Sequence, residues 1–262
     1  MNSYVCVLST NDYLKGVLIL NYNLKRLFSK YNLLCIINET ITEETRKILD
    51  YFGIKYKEIK SIEYSNSIGY SWWSHTFDKL NIFSLTEYDK LVYLDSDFLI
   101  LENLDELFKI NGYTMASDIP FNEERFNSAV MVIKPDMNIY NALLKIVEFY
   151  KEQKNDHAGD QDIINDFFVD KKIITLGPEY NAMMILDGEK EQVFDEEKNE
   201  YIEVVNTRPI TQNIEHPVIL HYINKPKPFE IESRYKDKYS HIYKEYYDYV
   251  CKKLDEYKRD MD

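Results

Sequence analysis

The sequence contains few of the residues that mark several classes of protein. Its three cysteines, Cys6, Cys35 and Cys251, are far apart and include no C-x-x-C pair. An odd, scattered set argues against a disulfide framework and against structural zinc, so we expect buried thiols in a reducing compartment. Only seven glycines and seven prolines occur in 262 residues, which excludes a collagen-like repeat and does not fit a disordered chain.

Long apolar runs are missing as well. No stretch reaches the roughly 18 consecutive apolar residues that a membrane-spanning helix needs. Residues 1–4, which precede the first apolar run, lack the basic start of a signal peptide. We therefore expect a cytoplasmic protein without a membrane span.

Positive charge is scarce. Lys and Arg total 32 against 45 Asp and Glu, which gives a net charge of -13. This charge would repel a phosphate backbone, so nucleic acid is not an expected partner. An acidic protein that handles an anionic nucleotide needs a local remedy, either a divalent cation or a few well-placed lysines.

Apolar runs alternate with helical patterns through the first part of the chain. Hydrophobic residues make up 45% of the sequence, enough for one domain with a real core. The predicted strands are residues 4–9, 33–37, 54–59, 90–94, 113–117 and 129–133, and the predicted helices are residues 14–28, 42–52, 71–85, 136–151 and 160–168. This order predicts an α/β protein with a mainly parallel central sheet.

The last third of the chain differs in composition. Residues 187–203 are rich in Glu, Asp and Lys, which predicts a solvated loop or insertion with a weak strand at 201–205. Further on, Tyr239, Tyr243, Tyr246, Val250 and Tyr257 recur at helical spacing. We therefore divide the chain into a domain at 1–235 and an amphipathic helix at 236–262, packed on the domain or on a partner.

An aspartate pair stands at the end of the apolar strand 90–94, in the segment YLDSDFLIL. Residues two apart in extended backbone face the same side, so the carboxylates of Asp95 and Asp97 converge. A divalent cation relieves their repulsion and can also hold diphosphate oxygens. The alternative is that the two acids only cap the next turn. Ligands of open α/β sheets bind at the carboxyl ends of strands, which favours the metal.

Several segments together resemble the glycogenin-like family eight glycosyltransferases. LSTNDYLKGVLIL resembles the opening strand and nucleotide loop of that family, YLDSDFLILENLDELF its metal motif, and FNSAVMVIKP its FNSG segment. GDQDIINDFF and HYINKPKPF resemble its DQ and HxxGxxKPW segments. The matching segments lie between residues 5 and 229, which is nearly the whole chain except the terminal helix.

The resemblance implies a GT-A fold, which is Rossmann-like and binds nucleotides, in a single domain. It also implies a UDP-sugar donor, usually UDP-glucose, transfer with retention of anomeric configuration, and Mn²⁺, with Mg²⁺ as a substitute. Asp95, Asp97 and His221 would bind the metal. Two carboxylates with a neutral imidazole suit Mn²⁺, although a lone histidine after an apolar run is more often a core residue.

The resemblance also assigns residues to the donor and to catalysis. Its catalytic residues are Asp160 near the anomeric carbon, Lys227 on the leaving diphosphate, and Lys79 on the phosphate or the sugar of the donor. A surface role is the alternative for each lysine. Its donor contacts are Leu8, Thr10, Asn11 and Tyr13 for uracil and ribose, Asp118, Asn127, Ser128, Asp160 and Gln161 for the sugar, and Lys79, Asp95, Ser96, Asp97, His221, Asn224 and Lys227 toward the diphosphate and metal.

The sequence departs from the family pattern at a few positions. Ala129 replaces the glycine of FNSG and is expected to narrow the donor pocket. Asn224 replaces the glycine of HxxGxxKPW, where a residue that tolerates φ > 0 would preserve the phosphate-binding turn. Pro226 and Phe229 also differ, and His157 stands where glycogenins have an acid.

The expected reaction is an attack by an acceptor hydroxyl from the same face as the departing UDP, with the β-phosphate as base and with the metal and Lys227 stabilising the leaving group. A double displacement through Asp160 is the alternative. The acceptor is unknown. Glycogenins glucosylate their own tyrosine, and Tyr201 is one of 23 tyrosines here.

Two other functions fit parts of the sequence. A sugar-nucleotide-binding scaffold with weak catalysis is consistent with Ala129 and Asn224. A nucleotidyltransferase is disfavoured, because no glycine-rich phosphate loop lies near the amino terminus. The family resemblance and the terminal aromatic stripe also indicate a homodimer.

Overall fold

The structure is a computed structural model. It describes residues 1–64, 76–119, 121–155, 158–187, 190–195, 199–210, 214–232 and 234–261. In chain order the strands are β1 (Asn2–Leu8), β2 (Leu33–Ile37), β3 (Lys55–Glu58), β4 (Lys90–Leu94), β5 (Phe98–Ile100), β6 (Thr114–Asp118), β7 (Asn122–Ile133), β8 (Ile174–Leu176), β9 (Ala182–Leu186), β10 (Glu191–Asp195), β11 (Glu200–Pro209), β12 (Ile219–Tyr222) and β13 (Tyr235–Lys236). The α-helices are α1 (Leu14–Arg26), α2 (Glu43–Tyr51), α3 (Met137–Glu152), α4 (Asp160–Phe168) and α5 (Ser240–Met261).

The larger sheet has seven strands in the order β3-β2-β1-β4-β7-β6-β8. Strands β3, β2, β1 and β4 are parallel to one another, and β6 is parallel to β8, whereas β7 runs antiparallel to both β4 and β6. The predicted α/β fold with a mainly parallel central sheet is therefore confirmed. Because β1 and β4 are parallel neighbours, their carboxyl ends meet at one edge of the sheet, and residues 9–13 follow one end while residues 95–97 follow the other.

Both faces of this sheet are covered, as its apolar strands require. Along β1, Tyr4, Cys6 and Leu8 belong to one buried cluster, while Val5 belongs to the cluster on the other face. Cys6 lies opposite Cys35 in the β1–β2 register, and both are fully buried free thiols. These thiols serve as core residues.

A second sheet brings the carboxyl-terminal half of the chain to the aspartate pair. Its strand order is β10-β11-β9-β12-β5, with β13 paired to β11. Strand β5 begins directly after Asp97, and β12 pairs antiparallel with β5 so that His221 lies opposite Phe98. A histidine distant in sequence is thereby placed beside the aspartates by backbone pairing.

Two predicted segments differ from the structure. Residues 76–84 form a 3₁₀-helix, and residues 71–75 of the predicted helix, including Trp72, lie outside the described residues. The prediction of a loop at 187–203 was wrong in part, because β10 and β11 pair there as antiparallel strands. The side chains of residues 191–194 on β10 are solvent-exposed, so its ladder forms without the apolar alternation that a half-buried strand shows.

The terminal helix α5 packs on α1 of the same chain. Its buried residues are Tyr243, Tyr246, Tyr247, Val250 and Tyr257. On α1, Tyr22 contacts the ring of Tyr246 edge-on and stacks on Tyr249 with ring centroids 3.8 Å apart. The aromatic stripe therefore covers the outer face of α1. None of the helices in the described ranges combines the length and the apolar character that crossing a membrane requires.

The amino-terminal end of α1 approaches the aspartate loop so closely that only a glycine fits. A Cβ atom on Gly16 would lie 2.6 Å from the carbonyl oxygen of Ser96 and 2.8 Å from ring carbon Cε1 of Phe229. The first of these atoms is backbone and cannot swing away. Gly16 therefore sets the distance between α1 and the loop that carries Asp95 and Asp97.

We predict that Gly16→Ala destabilises the protein despite its better helix propensity. The substitution gains about 1 kcal/mol of helix propensity, but overpacking costs roughly 1–3 kcal/mol or more. The 2.6 Å contact is with a backbone atom, so the overpacking cost should lie in the upper part of that range. We therefore expect a net loss in the free energy of unfolding of about 1–2 kcal/mol, measured by urea denaturation. Lys25→Ala, at an exposed position of the same helix, is the control and should change stability by less than about 0.5 kcal/mol. An unchanged or higher stability of Gly16→Ala would contradict the close approach.

Candidate active site

A cavity of about 850 Å³ opens at the carboxyl ends of β1 and β4. It is walled by the loop after β1, the aspartate segment after β4, the start of α4 and the segment after β12. The residues that line it are Val7, Ser9, Thr10, Asp12, Tyr13, Thr76, Lys79, Tyr93, Asp95, Ser96, Asp97, Asn127, Ser128, Gly159, Asp160, Gln161, Asp162, His221, Ile223, Lys225 and Lys227.

Asp95, Asp97 and His221 converge in this cavity. One oxygen or nitrogen atom from each lies within 4.8 Å of those of the other two. The aspartates come from the short link between β4 and β5, and the imidazole comes from β12. The edge contact between His221 and the Phe98 ring, with centroids 4.9 Å apart, restricts the imidazole further.

Asp97 is a buried carboxylate with one oxygen paired and the other unpaired. Lys227 Nζ donates to its Oδ2 at 2.7 Å. Its Oδ1 is buried without a hydrogen-bond partner among the described residues and lies 3.5 Å from His221 Nε2. Burial alone would raise the pKa of Asp97, but the charge and hydrogen bond of Lys227 hold that pKa well below its usual range. Asp97 is therefore ionised, and its unpaired Oδ1 faces the histidine.

Asp95 is held differently. The Tyr93 hydroxyl donates to its Oδ1, and Lys79 Nζ lies 3.3 Å from the same atom. Burial, helped by the charge of Asp97, raises the pKa of Asp95 even though Lys79 acts in the opposite direction. Additional positive charge at this point would therefore stabilise the ionised form.

The three residues fit a divalent cation. Two carboxylates and one imidazole are an oxygen–nitrogen set suited to Mn²⁺, and an oxygen atom buried without a partner is what a ligand atom looks like before coordination. The predicted cluster of Asp95, Asp97 and His221 could thus hold a metal ion.

A second group of polar residues lies at the start of α4. Asp160 Oδ2 accepts from Ser128 Oγ at 2.9 Å and lies 2.8 Å from Lys79 Nζ. Gln161 Oε1 accepts from the Ser128 backbone N–H at 3.2 Å. Burial alone would lower the pKa of Lys79, but Asp160 and Asp95 raise it above its ordinary value. Lys79 therefore stays charged and links this group to the metal cluster.

Asp118 supports that group without lining the cavity. Its Oδ1 accepts from Asn127 Nδ2 at 2.8 Å, and its Oδ2 accepts from Gln161 Nε2 at 3.2 Å. Asp118 thus fixes the orientation of two amides that do line the cavity.

The loop after β1 presents Thr10 and Tyr13 to the cavity and turns Asn11 away. Asn11 Oδ1 accepts from Thr45 Oγ1 at 2.7 Å and from the Thr42 backbone N–H at 3.2 Å, which ties the loop to the start of α2. Leu8 is fully buried in the core. Burial and the charge of Asp97 raise the pKa of Tyr13, so its hydroxyl stays protonated.

Twelve of the predicted site residues line the cavity and four do not. Leu8, Asn11, Asp118 and Asn224 lie outside the lining, whereas Thr10, Tyr13, Lys79, Asp95, Ser96, Asp97, Asn127, Ser128, Asp160, Gln161, His221 and Lys227 belong to it. The contacts that these residues make with a ligand stay predictions.

Sequence reasoning missed other residues of the site. Lys225 lines the cavity and lies over the Tyr13 ring, 5.7 Å from its centroid. Asn181 lies 2.8 Å from His221 Nδ1, yet no motif spacing connects the two. The Tyr93 hydroxyl donates to Asp95. Only the position of Tyr93 two residues before Asp95 could have indicated this contact, because alternate strand residues share a face.

The departures from the family pattern at Ala129, Asn224, Pro226 and Phe229 lie outside the lining of the cavity. Ala129 is not a lining residue, and its carbonyl oxygen accepts from the Asp95 N–H at 3.1 Å, so the expected narrowing was wrong. Asn224 does not adopt a positive φ. Its Oδ1 instead accepts from the Leu186 N–H at 3.1 Å and anchors the turn to β9. His157 lies outside the described residues.

An α/β fold in which strand-end carboxylates and a histidine face one large cavity is the arrangement of a GT-A glycosyltransferase. The glycosyl transferase family 8 model matches residues 4–231. The chain therefore belongs to glycosyl transferase family 8, and the resemblance to glycogenin-like enzymes is confirmed.

Individual relatives agree with this family. Inositol phosphorylceramide glucuronosyltransferase 1 from Arabidopsis thaliana is 27% identical over 168 residues, which cover 64% of this chain and 30% of that protein. Human glycogenin-1 is 33% identical over 167 residues, 62% of this chain and 47% of glycogenin-1. The structure of galactosyltransferase LgtC in complex with donor and acceptor sugar analogues has a TM-score of 0.64 at 14% identity and covers 94% of this chain and 95% of that one. The matched region spans less than half of each of the two sequence relatives.

We predict that Lys79→Met destabilises the protein strongly. Removing one partner from a buried ionic group leaves the carboxylates of Asp95 and Asp160 without their shared cation, at a cost of about 3–5 kcal/mol. The control is Lys57→Met, because the Lys57–Glu87 pair is 43% and 45% exposed and should contribute no more than about 1 kcal/mol. Chemical denaturation of both variants measures the difference, and equal losses would show that the Lys79 cluster contributes no more than a surface pair.

Proposed function

We propose that this chain is a retaining glycosyltransferase that moves glucose from UDP-glucose to an acceptor hydroxyl in a manganese-dependent reaction. Membership of glycosyl transferase family 8 supports the reaction class. The observation that carries the proposal is the convergence of Asp95, Asp97 and His221 in the cavity, with Asp97 Oδ1 buried and unpaired beside His221 Nε2. Mg²⁺ could substitute for Mn²⁺, since both accept this ligand set.

In this proposal the metal ligands are Asp95, Asp97 and His221. When bound, the ion would neutralise negative charge on the diphosphate as UDP departs. Lys227, which donates to Asp97 Oδ2 and to the Tyr222 carbonyl oxygen at 2.7 Å each, supplies a fixed positive charge at the same place. Lys79 adds a second buried cation between this cluster and Asp160.

The charges around Asp160 favour a neutral hexose over a uronic acid. Lys79 is paired with Asp160 and Asp95, and Arg125 is paired with Asp162 at 2.6 Å. In the described part of the chain, each of these cations is already matched by a carboxylate. A glucuronate carboxylate would therefore meet like charge without a free partner, whereas glucose hydroxyls can donate to these acids.

The acceptor step follows from the fixed position of Asp160. Its Oδ2 is engaged by Lys79 and Ser128, so we assign Asp160 to orienting the sugar rather than to attack. The acceptor oxygen bonds to the anomeric carbon on the face that UDP leaves. The bond from that carbon to the β-phosphate oxygen breaks, and the acceptor proton passes to the departing phosphate. Thr10 and Tyr13 hold uracil and ribose with backbone help from Leu8 and Asn11.

The remaining proposals concern organisation. We assign residues 1–235 to the catalytic domain and 236–262 to the helix that covers α1, and we expect the protein to act in the cytoplasm. The stripe on α5 is packed within this chain, so a homodimer is proposed from the family resemblance alone. The scaffold alternative loses support, because neither Ala129 nor Asn224 lines the cavity.

We predict UDP release from UDP-glucose in the presence of Mn²⁺, with UDP-glucuronate slower by roughly tenfold or more in kcat/KM. Asp97→Asn should lower kcat/KM by about a hundredfold or more, because a bound cation supplies several kcal/mol and each 1.4 kcal/mol is about tenfold. Asp89→Asn, which changes an exposed acid, is the control. Donor binding without UDP release would favour the scaffold instead.

We predict self-glycosylation on Tyr201. An acceptor phenol must reach solvent, and Tyr201 is 71% exposed, compared with 40% for Tyr51 and 38% for Tyr249. Intact-mass spectrometry after incubation with UDP-glucose and Mn²⁺ should show added hexoses in the wild type and fewer in Tyr201→Phe. Tyr51→Phe should resemble the wild type. A wild-type mass without added hexose would exclude self-glycosylation while leaving transfer to another acceptor open to the UDP-release assay.

A further inference from the structure

Asn181 bridges the candidate metal site and the larger sheet. It ends the 3₁₀ turn Pro178–Asn181, directly before β9, and only 1% of its surface is exposed. Its Oδ1 lies 2.8 Å from His221 Nδ1, and its Nδ2 donates to the Ser117 carbonyl oxygen of β6 at 3.2 Å. No ligand-facing role explains this residue, because it does not line the cavity.

The two contacts define which proton His221 carries. The Ser117 carbonyl oxygen can only accept, so the amide of Asn181 must direct its nitrogen there and its oxygen toward the imidazole. An amide oxygen also can only accept, so the Nδ1 of His221 must hold the proton. The lone pair of the neutral ring then lies on Nε2, the atom that faces Asp97 Oδ1 at 3.5 Å.

The orientation of the ring is set by the same contact. The His221 backbone is fixed by its place in β12, between β5 and β9, but its side chain could still rotate. The hydrogen bond from Nδ1 to Asn181 and the edge contact with Phe98 together hold the imidazole in one plane. A ligand held in its binding orientation loses less freedom when an ion arrives.

We propose that Asn181 is a positioning residue, which holds His221 as the Nδ1–H tautomer with Nε2 directed at the metal position. The inference rests on the proposed metal role of His221, but it concerns the protonation site and the metal affinity rather than glycosyl transfer. A residue that acts this way should be replaceable by another hydrogen-bond acceptor and not by an apolar side chain of similar size.

The first measurement is the tautomer itself. In ¹⁵N-labelled protein without metal, at a pH where the imidazole is neutral, long-range ¹H–¹⁵N correlations of His221 should report a protonated Nδ1. Asn181→Leu should lose that preference, and Asn181→Asp should keep it, because a carboxylate also accepts from Nδ1–H. A wild-type His221 protonated on Nε2 would overturn the inference without any variant.

The second measurement is the dissociation constant of Mn²⁺, taken from the electron paramagnetic resonance signal of the free ion. Asn181→Leu should weaken binding by roughly 10–100-fold, as loss of partners behind a metal ligand does. Asn181→Asp should retain an affinity close to that of the wild type. Asn81→Leu, which removes another buried amide with two hydrogen bonds, is the matched control and should leave the dissociation constant unchanged.

The outcomes separate this inference from the proposed reaction. Wild-type Mn²⁺ affinity in Asn181→Leu, or equal weakening in Asn181→Leu and Asn181→Asp, would overturn the positioning role. A wild type that carries Nδ1–H and binds Mn²⁺ but releases no UDP would contradict glycosyl transfer and leave the role of Asn181 intact.

Discussion

Asp95 and Asp97 lie side by side at the buried end of β4, where like charges repel far more than they do in water. Lys79, from the segment before β4, and His221 and Lys227, from β12 and the turn after it, surround them. Strand β12 of the second sheet pairs with β5 and thereby places His221 beside the aspartates. The turn after β12 carries Lys227. The pairing of β12 with β5 therefore also places Lys227, which balances the charge of Asp97.

The pKa values of the two aspartates are shifted in opposite directions. Asp97 is paired strongly enough that its pKa falls well below the usual range, whereas burial leaves that of Asp95 raised. Asp97 therefore stays ionised, and a bound cation would stabilise the ionised form of Asp95 as well. A net charge of -13 would repel a nucleotide diphosphate, and the buried lysines Lys79 and Lys227 supply the local positive charge that binding one would require.

Much of this arrangement could be read from the sequence, and the reasons for success and failure are physical. The aspartate pair was predictable because strand periodicity places residues two apart on one side, and His221 and Lys227 because they keep the order and spacing of a family motif. Asn181 carries no periodic signal, since its role depends on a strand pairing distant in sequence. The direction of Asn11 was missed because a short polar residue in a loop can face either way, and here Thr42 and Thr45 decide it. Strand β10 was missed because an exposed edge strand needs no apolar pattern.

Helix α5 packs on α1, and α1 in turn contacts the aspartate loop at the cavity. One end of α1 touches the aspartate loop at Gly16 and follows directly on Tyr13, while its outer face is clasped by tyrosines of α5. Helix α1 therefore contacts both the aspartate loop and α5, so a displacement at one contact can reach the other through the helix. A substitution at Tyr246 or Tyr249, whose side chains contact α1 and do not line the cavity, would therefore act on the aspartate loop through α1.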